Sequence, residues 1–207
     1  MAVFRPTLTA SDCQLLADGL AYDGFFRIRR LRLRHALFAG GQSPDITREL
    51  FERDDAVGVL LYDPHRQCVV LIEQFRVGAV RDSQSPWLLE LVAGIVEAGE
   101  TDIDVAQREA QEEAGLRVTA LWPIGRYYSS PGGSSEQLML FCGRVDATDA
   151  GGIHGLAEAH EDIRVHVMAL ADVAALLAEG SVRNVHTAVA LQWLLLNQAL
   201  VHDAWSA

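Results

Sequence analysis

The feature that most constrains this chain is an acidic segment that runs from Gly94 to Leu116 and carries seven carboxylates. Thr101 and Asp104 have the spacing of a capping box, which predicts that a helix begins after Thr101. Gly115 suits the left-handed conformation in which helices commonly end. The segment therefore predicts a loop, a helix of about three to four turns, and a second loop.

Three glutamates of this helix fall on one face. At about 100° per residue, Glu109 and Glu113 lie about 40° apart, and Glu112 lies about 60° to the other side of Glu109. Unpaired like charges at these spacings destabilise a helix by roughly a few tenths of a kcal/mol each, and Arg108 offsets only part of this. One explanation is a solvated acidic face, since charge runs usually face water. The other is a bound divalent cation such as Mg²⁺, which prefers oxygen ligands from carboxylates, water and substrate phosphates.

Composition and net charge limit the classes of molecule that this chain is expected to bind. Half of the 207 residues are hydrophobic and the net charge is −11, which predicts a folded globular protein. The acidic balance argues against non-specific binding to nucleic acid or to an acidic membrane surface. It does not argue against a phosphate-bearing small molecule, because a bound metal can reverse the local field.

The cysteine content and the N-terminal sequence indicate in which cellular compartment the protein is expected. Cys13, Cys68 and Cys142 are odd in number and widely spaced, which fits neither a disulfide framework nor a zinc site. The first residues lack the basic and apolar regions of a signal peptide, and no stretch approaches about twenty uncharged apolar residues. We therefore expect a soluble, cytoplasmic protein.

Strand-like and helix-like segments alternate along the chain, which predicts a mixed α/β class. Residues 22–53 alternate apolar and charged side chains around turns at 40–41 and 43–44, as in a hairpin or a short antiparallel sheet. Further strands are predicted within 56–76 (two strands), 121–130, 137–147 and 162–170, and helices within 170–180 and 184–205. We assign residues 1–53 to an N-terminal sheet and 54–207 to the main domain. A sheet of about forty residues is too small for its own core, so it should pack on the main domain or on a second copy of the chain.

The acidic segment resembles the signature of the Nudix hydrolases, Gly-x5-Glu-x7-Arg-Glu-U-x-Glu-Glu-x-Gly-U, in which U is a bulky aliphatic residue. The fixed positions are filled by Gly94, Glu100, Arg108, Glu109, Glu112, Glu113, Gly115 and Leu116. Ala110 is smaller than usual at its aliphatic position. The resemblance implies an α/β/α sandwich with a mixed sheet that hydrolyses a nucleoside diphosphate linked to another group.

The resemblance also implies residue roles. Glu112 resembles the supporting glutamate, which binds metal or its water, and Arg108 resembles the partner that fixes the glutamates. The implied cofactor is Mg²⁺, with Mn²⁺ as an alternative, at two to three ions per site. The implied metal ligands are Glu109, Glu113, Glu161 and the backbone carbonyl of Ala93.

Over nearly its whole length the chain resembles the ADP-ribose pyrophosphatase branch of this family. The resemblance is carried by WLLELVAGIVEAGE, SPGGSSEQ, GIHGLAEAHEDIRVHV and ALQWLLLNQAL. Upstream, GFFRIRRLRLRH and TRELFER resemble an N-terminal antiparallel sheet that this branch exchanges between the subunits of a homodimer. The implied reaction converts ADP-ribose to AMP and ribose 5-phosphate. The alternatives are hydrolysis of another nucleoside diphosphate sugar or dinucleotide, and a binding module that recognises ADP-ribose without turnover.

The same branch implies a set of substrate-binding residues. By position, the adenine contacts would be Phe25, Phe26, Arg48, Glu49 and Arg53. Arg76 would hold the diphosphate, for which its forked donors are suited. The remaining contacts would be Ile95 and, around the terminal ribose, Ser130, Pro131, Gly132 and Glu136. Against these roles, paired phenylalanines are more often core residues and PGG is usually only a turn.

One position departs from the branch. Relatives carry a glutamate, thought to be the general base, two positions before the metal-binding glutamate that aligns with Glu161. Here that position is Ala159, whose methyl group cannot accept a proton. The base is then Glu158, or His160, or the water is activated by metal alone. We favour Glu158, while the binding module draws its support from Ala159.

Overall fold

The computed structural model describes residues 4–205, which form two compact units. The first unit ends at Asp54 and also contains Ser130–Glu136. The second unit contains Asp55–Ser129 and the chain from Gln137 onward. Each unit has its own β-sheet.

The first unit is a three-stranded antiparallel sheet made of β1 (Cys13–Asp23), β2 (Arg27–His35) and β3 (Ile46–Glu52). This confirms the antiparallel sheet predicted for residues 22–53. The first strand was not predicted. Nearly all of its side chains are exposed in this unit, so no buried face imposes the period-two alternation by which strands are recognised.

The segment Ser130–Glu136 packs against the end of β3. The backbone N–H of Phe51 donates to the carbonyl of Gly133 at 2.8 Å, and the N–H of Arg53 donates to Oγ of Ser135 at 2.8 Å. Ser135 and Arg53 are 82 residues apart in sequence. A local sequence pattern does not reveal a contact of this range.

The second unit contains a mixed sheet. Its strands are β4 (Ala56–Asp63), β5 (Cys68–Phe75), β6 (Trp87–Glu90), β7 (Val92–Ile95), β8 (Ala120–Tyr128), β9 (Gln137–Arg144), β10 (Ile153–His154) and β11 (Ile163–Ala169). In order along the sheet, β10, β11, β5, β4, β9 and β8 are neighbours, while β6 pairs with β5 and β7 pairs with β4. The β4–β9 pair is parallel, and the other strand pairs described for this sheet are antiparallel.

Helices cover both faces of this sheet. They are α1 (Asp102–Ala114), α2 (Val173–Ala178) and α3 (Val185–Trp205). Every residue of β4 is buried, because alternate side chains enter the core with α1 on one face and with α3 on the other. This arrangement confirms the predicted α/β/α sandwich with a mixed sheet. Within residues 4–205, no helix combines the length and the apolar character needed to cross a membrane.

Candidate active site

The caps of α1 form as the sequence predicts. The N–H of Asp104 donates to the Thr101 hydroxyl, the Asp104 carboxylate accepts from the Thr101 N–H at 2.9 Å, and Gly115 has a φ of 66°. Glu109 and Glu113 lie on the face of α1 that packs on the sheet, and they are 9% and 4% exposed. A solvated acidic face is therefore excluded for these two glutamates.

Strand β7 approaches this face so closely that its residues contact the carboxylates directly. The backbone N–H of Ala93 donates to Oε2 of Glu113 at 3.0 Å. A Cβ atom at Gly94 would lie 1.6 Å from Oε1 of Glu109, so any side chain there would displace the glutamate. The close approach requires glycine at position 94.

Arg108 connects the glutamates to the preceding loop. Its Nε and Nη2 donate to Glu100 at 2.8 and 3.0 Å, and its Nη2 also donates to the carbonyl of Ile95 at 3.3 Å. Its Nη1 donates to Glu109 and, at 3.3 Å, to Glu112. The hydrogen bonds to Glu100 are the main reason that the pKa of Arg108 is raised. Arg108 thus fixes the directions of three carboxylates at once.

Burial of these carboxylates has an electrostatic cost that their hydrogen bonds compensate only in part. Burial raises the pKa of Glu113 to about 8, although the hydrogen bond from Ala93 acts to lower it. Burial also raises the pKa of Glu109, and Arg108 opposes this shift only in part. The charge of Glu161 raises both pKa values further, so this carboxylate lies within electrostatic range of the pair.

These residues fit a hard divalent cation by their chemistry. The donors are carboxylate oxygens, which Mg²⁺ and Mn²⁺ prefer, and a cation would relieve the cost of burying Glu109 and Glu113. In the described part of the chain, no three His, Cys, Asp or Glu residues are gathered as a ready-made metal cluster. Instead, Arg108 contacts one oxygen each of Glu109 and Glu112, and the Ala93 amide contacts one oxygen of Glu113.

The loop before β11 holds the candidate base. Oε2 of Glu161 accepts a hydrogen bond from the Leu156 N–H at 3.0 Å. Glu158 lies in a short 3-10 turn, Ala157–Ala159, and is exposed. Within residues 4–205 no hydrogen bond or ion pair holds Glu158, and His160 closes the turn with a left-handed φ of 57°. The structure brings Glu161 toward the glutamates and leaves Glu158 on the loop surface.

Arg76 follows β5 and is anchored by a residue that sequence reasoning missed. Its Nε donates to Oε2 of Glu90 at 2.8 Å. The charge of Arg76 lowers the pKa of Glu113, which places the guanidinium within electrostatic range of the glutamate pair. A charged residue inside the apolar run WLLELVAG was the available signal for Glu90, because buried charges require partners.

In the first unit, three phenylalanines and an arginine form one cluster. The ring of Phe26 contacts Phe25 and Phe51 edge-on, at centroid distances of 4.8 and 4.9 Å. The guanidinium carbon of Arg53 lies 5.1 Å from the Phe26 ring centroid, and Arg53 pairs with Glu136 at 3.0 Å. Phe25 is 91% exposed, so it is not a core residue of this unit. Phe51 was not among the residues predicted to bind substrate.

The other residues of the first unit that are expected to bind substrate make different contacts. Nη1 of Arg48 donates to the carbonyl of Thr47 at 2.8 Å, and Glu49 faces Arg30 at 3.7 Å. Ser130, Pro131 and Gly132 form a turn, in which the carbonyl of Ser130 accepts from the N–H groups of residues 133 and 134. Their binding roles stay predictions.

The fold and the glutamate helix define an α/β/α protein with a buried, carboxylate-rich site. Residues 52–204 match the NUDIX domain family. The chain belongs to the Nudix family.

The chain is similar in sequence to several proteins of this family and in fold to a solved structure. The chain is 46% identical to the ADP-ribose pyrophosphatase of Escherichia coli strain K12, over 97% of this chain and 96% of that protein. It is also 46% identical to the ADP-ribose pyrophosphatase of Haemophilus influenzae, over 94% and 91%. The GDP-mannose pyrophosphatase of Cronobacter sakazakii is 30% identical over 88% of this chain and 95% of that protein. A crystal structure of an ADP compounds hydrolase has a similar fold, with a TM-score of 0.71, 17% identity, and coverage of 95% and 100%.

Proposed function

We propose that this protein is a metal-dependent hydrolase that cleaves the diphosphate of ADP-ribose into AMP and ribose 5-phosphate. The observation that carries the reaction class is the buried pair Glu109 and Glu113 beside the close-approaching strand β7. The substrate is supported by the 46% identity with ADP-ribose pyrophosphatases across 97% of the chain. Hydrolysis of a diphosphate depends mainly on charge neutralisation and positioning, which this site is built to supply.

The proposed cofactor is Mg²⁺, or Mn²⁺ in its place, at two to three ions, held by Glu109, Glu113, Glu161 and the carbonyl of Ala93. When bound, the ions would neutralise the diphosphate charge and acidify a water molecule. Glu112 would support the metal or its water, and Arg108 would keep Glu109 and Glu112 in place.

The protein's own groups would carry the remaining steps. Arg76 would bind phosphate oxygens through its two Nη groups. Glu158 would accept the proton of the attacking water as the loop moves toward the site. Water adds to one phosphorus, the bond from that phosphorus to the bridging oxygen breaks, and the bridging oxygen leaves with the other phosphate.

The first unit would supply adenine recognition. Phe25, Phe26 and Arg53 form a partly exposed aromatic and cationic surface of the kind that stacks on a base. We propose that the protein is a cytoplasmic homodimer, in which this sheet of one subunit contributes to the site of its partner. Support for the dimer comes from the small size of the sheet and from its exposed apolar residues.

A substrate panel tests the function. ADP-ribose, GDP-mannose, ADP-glucose, NADH and a diadenosine polyphosphate should each be incubated with Mg²⁺, and the phosphate-ester products identified. We expect ADP-ribose to give the highest kcat/KM and to yield AMP and ribose 5-phosphate. A preference for GDP-mannose would favour the function named for the relative that is 30% identical. No turnover of any compound, with ADP-ribose still bound, would favour the binding module.

A further inference from the structure

A partly buried polar network links the start of α3 to Arg76. Nδ2 of Asn184, the residue before α3, donates to Oε1 of Glu90 at 2.8 Å. Nε of Arg76 donates to the other oxygen of the same carboxylate, also at 2.8 Å. Glu90 therefore joins Arg76 to a residue that is more than a hundred positions further along the chain.

The Glu90 carboxylate is fixed in direction. Its side chain is 4% exposed, and a buried carboxylate is strongly destabilising unless hydrogen bonds and an opposite charge compensate it. Arg76 and Asn184 supply both kinds of partner, one to each oxygen. Nε2 of Gln74 also approaches the oxygen that Arg76 contacts, at 3.5 Å, so Asn184 is the side-chain partner of Oε1. Rotation of the carboxylate would break at least one of these bonds.

Asn184 is fixed in turn by the first turn of α3. Its Oδ1 accepts from the backbone N–H of Thr187 at 3.1 Å and from the Thr187 hydroxyl at 3.2 Å. The same hydroxyl accepts from the N–H of Leu91 at 2.9 Å, and Thr187 is fully buried. A reversed amide would set its NH₂ against the Thr187 N–H and its oxygen against Glu90. Only one orientation of the amide satisfies both neighbours.

The network leaves the outer end of Arg76 available. Arg76 uses Nε for Glu90, and among residues 4–205 neither Nη group has a hydrogen-bond partner. The side chain is partly exposed and lies within electrostatic range of Glu113. An arginine held through Nε presents its Nη groups in a fixed plane, which is the geometry that binds two oxygens of a phosphate.

We propose that Asn184 is a positioning residue for the substrate diphosphate. Acting through Glu90, it fixes the plane of the Arg76 guanidinium, so that little side-chain freedom remains to be lost when the diphosphate binds. The inference rests on the proposed function, which supplies the diphosphate. It adds two residues, Glu90 and Asn184, to the set that determines substrate affinity.

The test uses two changes at Asn184 that keep a capping oxygen for α3. Asn184→Asp has nearly the same shape but cannot donate to Glu90 and places a second negative charge there, while Asn184→Ser is too short to reach both neighbours. Asn197→Asp and Asn197→Ser are matched controls, because Asn197 lies in the same helix and donates to the carbonyl of Trp193 at 2.8 Å.

Three measurements are made on each full-length variant. They are kcat and KM for ADP-ribose with Mg²⁺, the Kd of the α,β-methylene analogue of ADP-ribose (which is not hydrolysed), and the NMR signal of the Arg76 Nε–H, assigned by its loss in Arg76→Lys. For Asn184→Asp we expect KM and Kd to rise about tenfold, the scale of one charged hydrogen bond, while kcat changes little. The Nε–H signal should be lost to exchange with water in both Asn184 variants and retained in both Asn197 variants.

A double-mutant cycle separates positioning from general destabilisation. In an Arg76→Ala background, Asn184→Asp should add almost no further loss of analogue binding. Equal losses with and without Arg76, or wild-type Kd values in both folded Asn184 variants, would overturn the inference. If Asn184→Asp does not fold, Asn184→Ser decides the question. If the wild-type protein neither binds the analogue nor hydrolyses ADP-ribose, the proposed function is wrong and the diphosphate role of Asn184 fails with it, while the Nε–H signal still shows whether Asn184 fixes the Arg76 guanidinium.

Discussion

The backbone N–H of Ala93 and Oε2 of Glu113 form a 3.0 Å hydrogen bond that joins strand β7 to the last turn of α1. This bond uses one oxygen of a carboxylate that is otherwise almost completely buried. The helix and the strand are therefore held together at the carboxylate itself. Changes to either residue should therefore affect both stability and catalysis. Variants that alter only one of these two properties are needed to measure each effect by itself.

Replacing Glu113 by glutamine should preserve the fold and lower kcat by at least about a hundredfold. The amide has a similar shape, but it is a poor ligand for a hard cation and neutralises no charge. Steady-state kinetics at saturating Mg²⁺, with circular dichroism as a check on folding, measure the effect. If the variant keeps more than about a tenth of wild-type kcat, Glu113 is not a metal ligand. A tenfold loss corresponds to a change of only about 1.4 kcal/mol in the activation barrier.

Without metal, the protein should become less stable as pH rises from about 5 to about 8. The pKa of Glu113 is about 8 in the folded protein against an ordinary value of 4.5. The folded state thus holds this proton more tightly than the unfolded state, and the stabilisation is complete below the unfolded pKa and lost as pH rises through the folded pKa.

Thermal unfolding in EDTA across this pH range measures the Glu113 contribution, which is roughly a few kcal/mol at most. Glu113→Gln should flatten the pH dependence, because the amide does not titrate. Glu97→Gln, at an exposed site on the neighbouring loop, serves as the control and should leave the slope unchanged. Identical slopes for wild type and Glu113→Gln would contradict the assignment.

Gly94→Ala should damage the site through a steric clash with Glu109. The new Cβ would lie 1.6 Å from Oε1 of the glutamate, so the carboxylate has to move. We expect a loss of stability of about 1–3 kcal/mol and a fall in kcat of at least about tenfold. Gly19→Ala is the matched control, since a Cβ there meets no atom within 4 Å. Wild-type kcat in Gly94→Ala would show that the position of Glu109 does not limit catalysis.

Arg53→Leu should weaken substrate binding more than turnover. The change removes the cation next to the Phe26 and Phe51 rings, together with the ion pair between Arg53 and Glu136. We expect KM for ADP-ribose to rise about tenfold while kcat stays within about threefold of wild type. Arg34→Leu removes an exposed ion pair with Asp45 in the same sheet and should have little effect. An unchanged KM in Arg53→Leu would remove this cluster from the adenine site.

Glu158→Gln should lower kcat by about a hundredfold or more with KM near its original value, since a general base acts in the transition state. His160→Ala should then cost little, and Ala159→Glu should give equal or higher activity. If instead Glu158→Gln has no effect and His160→Ala lowers kcat, the base is His160. If neither change matters while Glu161→Gln does, the water is activated by metal alone.

Features set by short-range interactions could be predicted from the sequence. The capping box of Thr101 and Asp104 and the left-handed Gly115 depend on neighbours within a few residues, and both form as expected. The glutamate face follows from helical geometry, although burial of Glu109 and Glu113 could not be deduced from charge alone.

Features set by distant contacts could not be predicted. Strands β6 and β7 have four residues each, too few for a recognisable alternation, and their pairing with β5 and β4 defines them. Glu90 and Asn184 are 94 residues apart, so no local sequence pattern shows that they interact. For the same reason the pairing of Arg53 with Glu136 became visible only in the structure.

The placement of Ser130–Glu136 in the first unit has an evolutionary consequence. A gene recombination event that exchanged the chain at residue 54 would separate β3 from the segment it pairs with, because Ser135 and Glu136 would come from a different parent than Arg53. Such a chimaera would keep the hydrogen bonds of Ser135 and the ion pair between Arg53 and Glu136 only if its two parents carry matching residues at these positions. Selection should therefore treat the two stretches as one heritable module, and changes in β3 should be accompanied by changes in 130–136 among descendants of this gene.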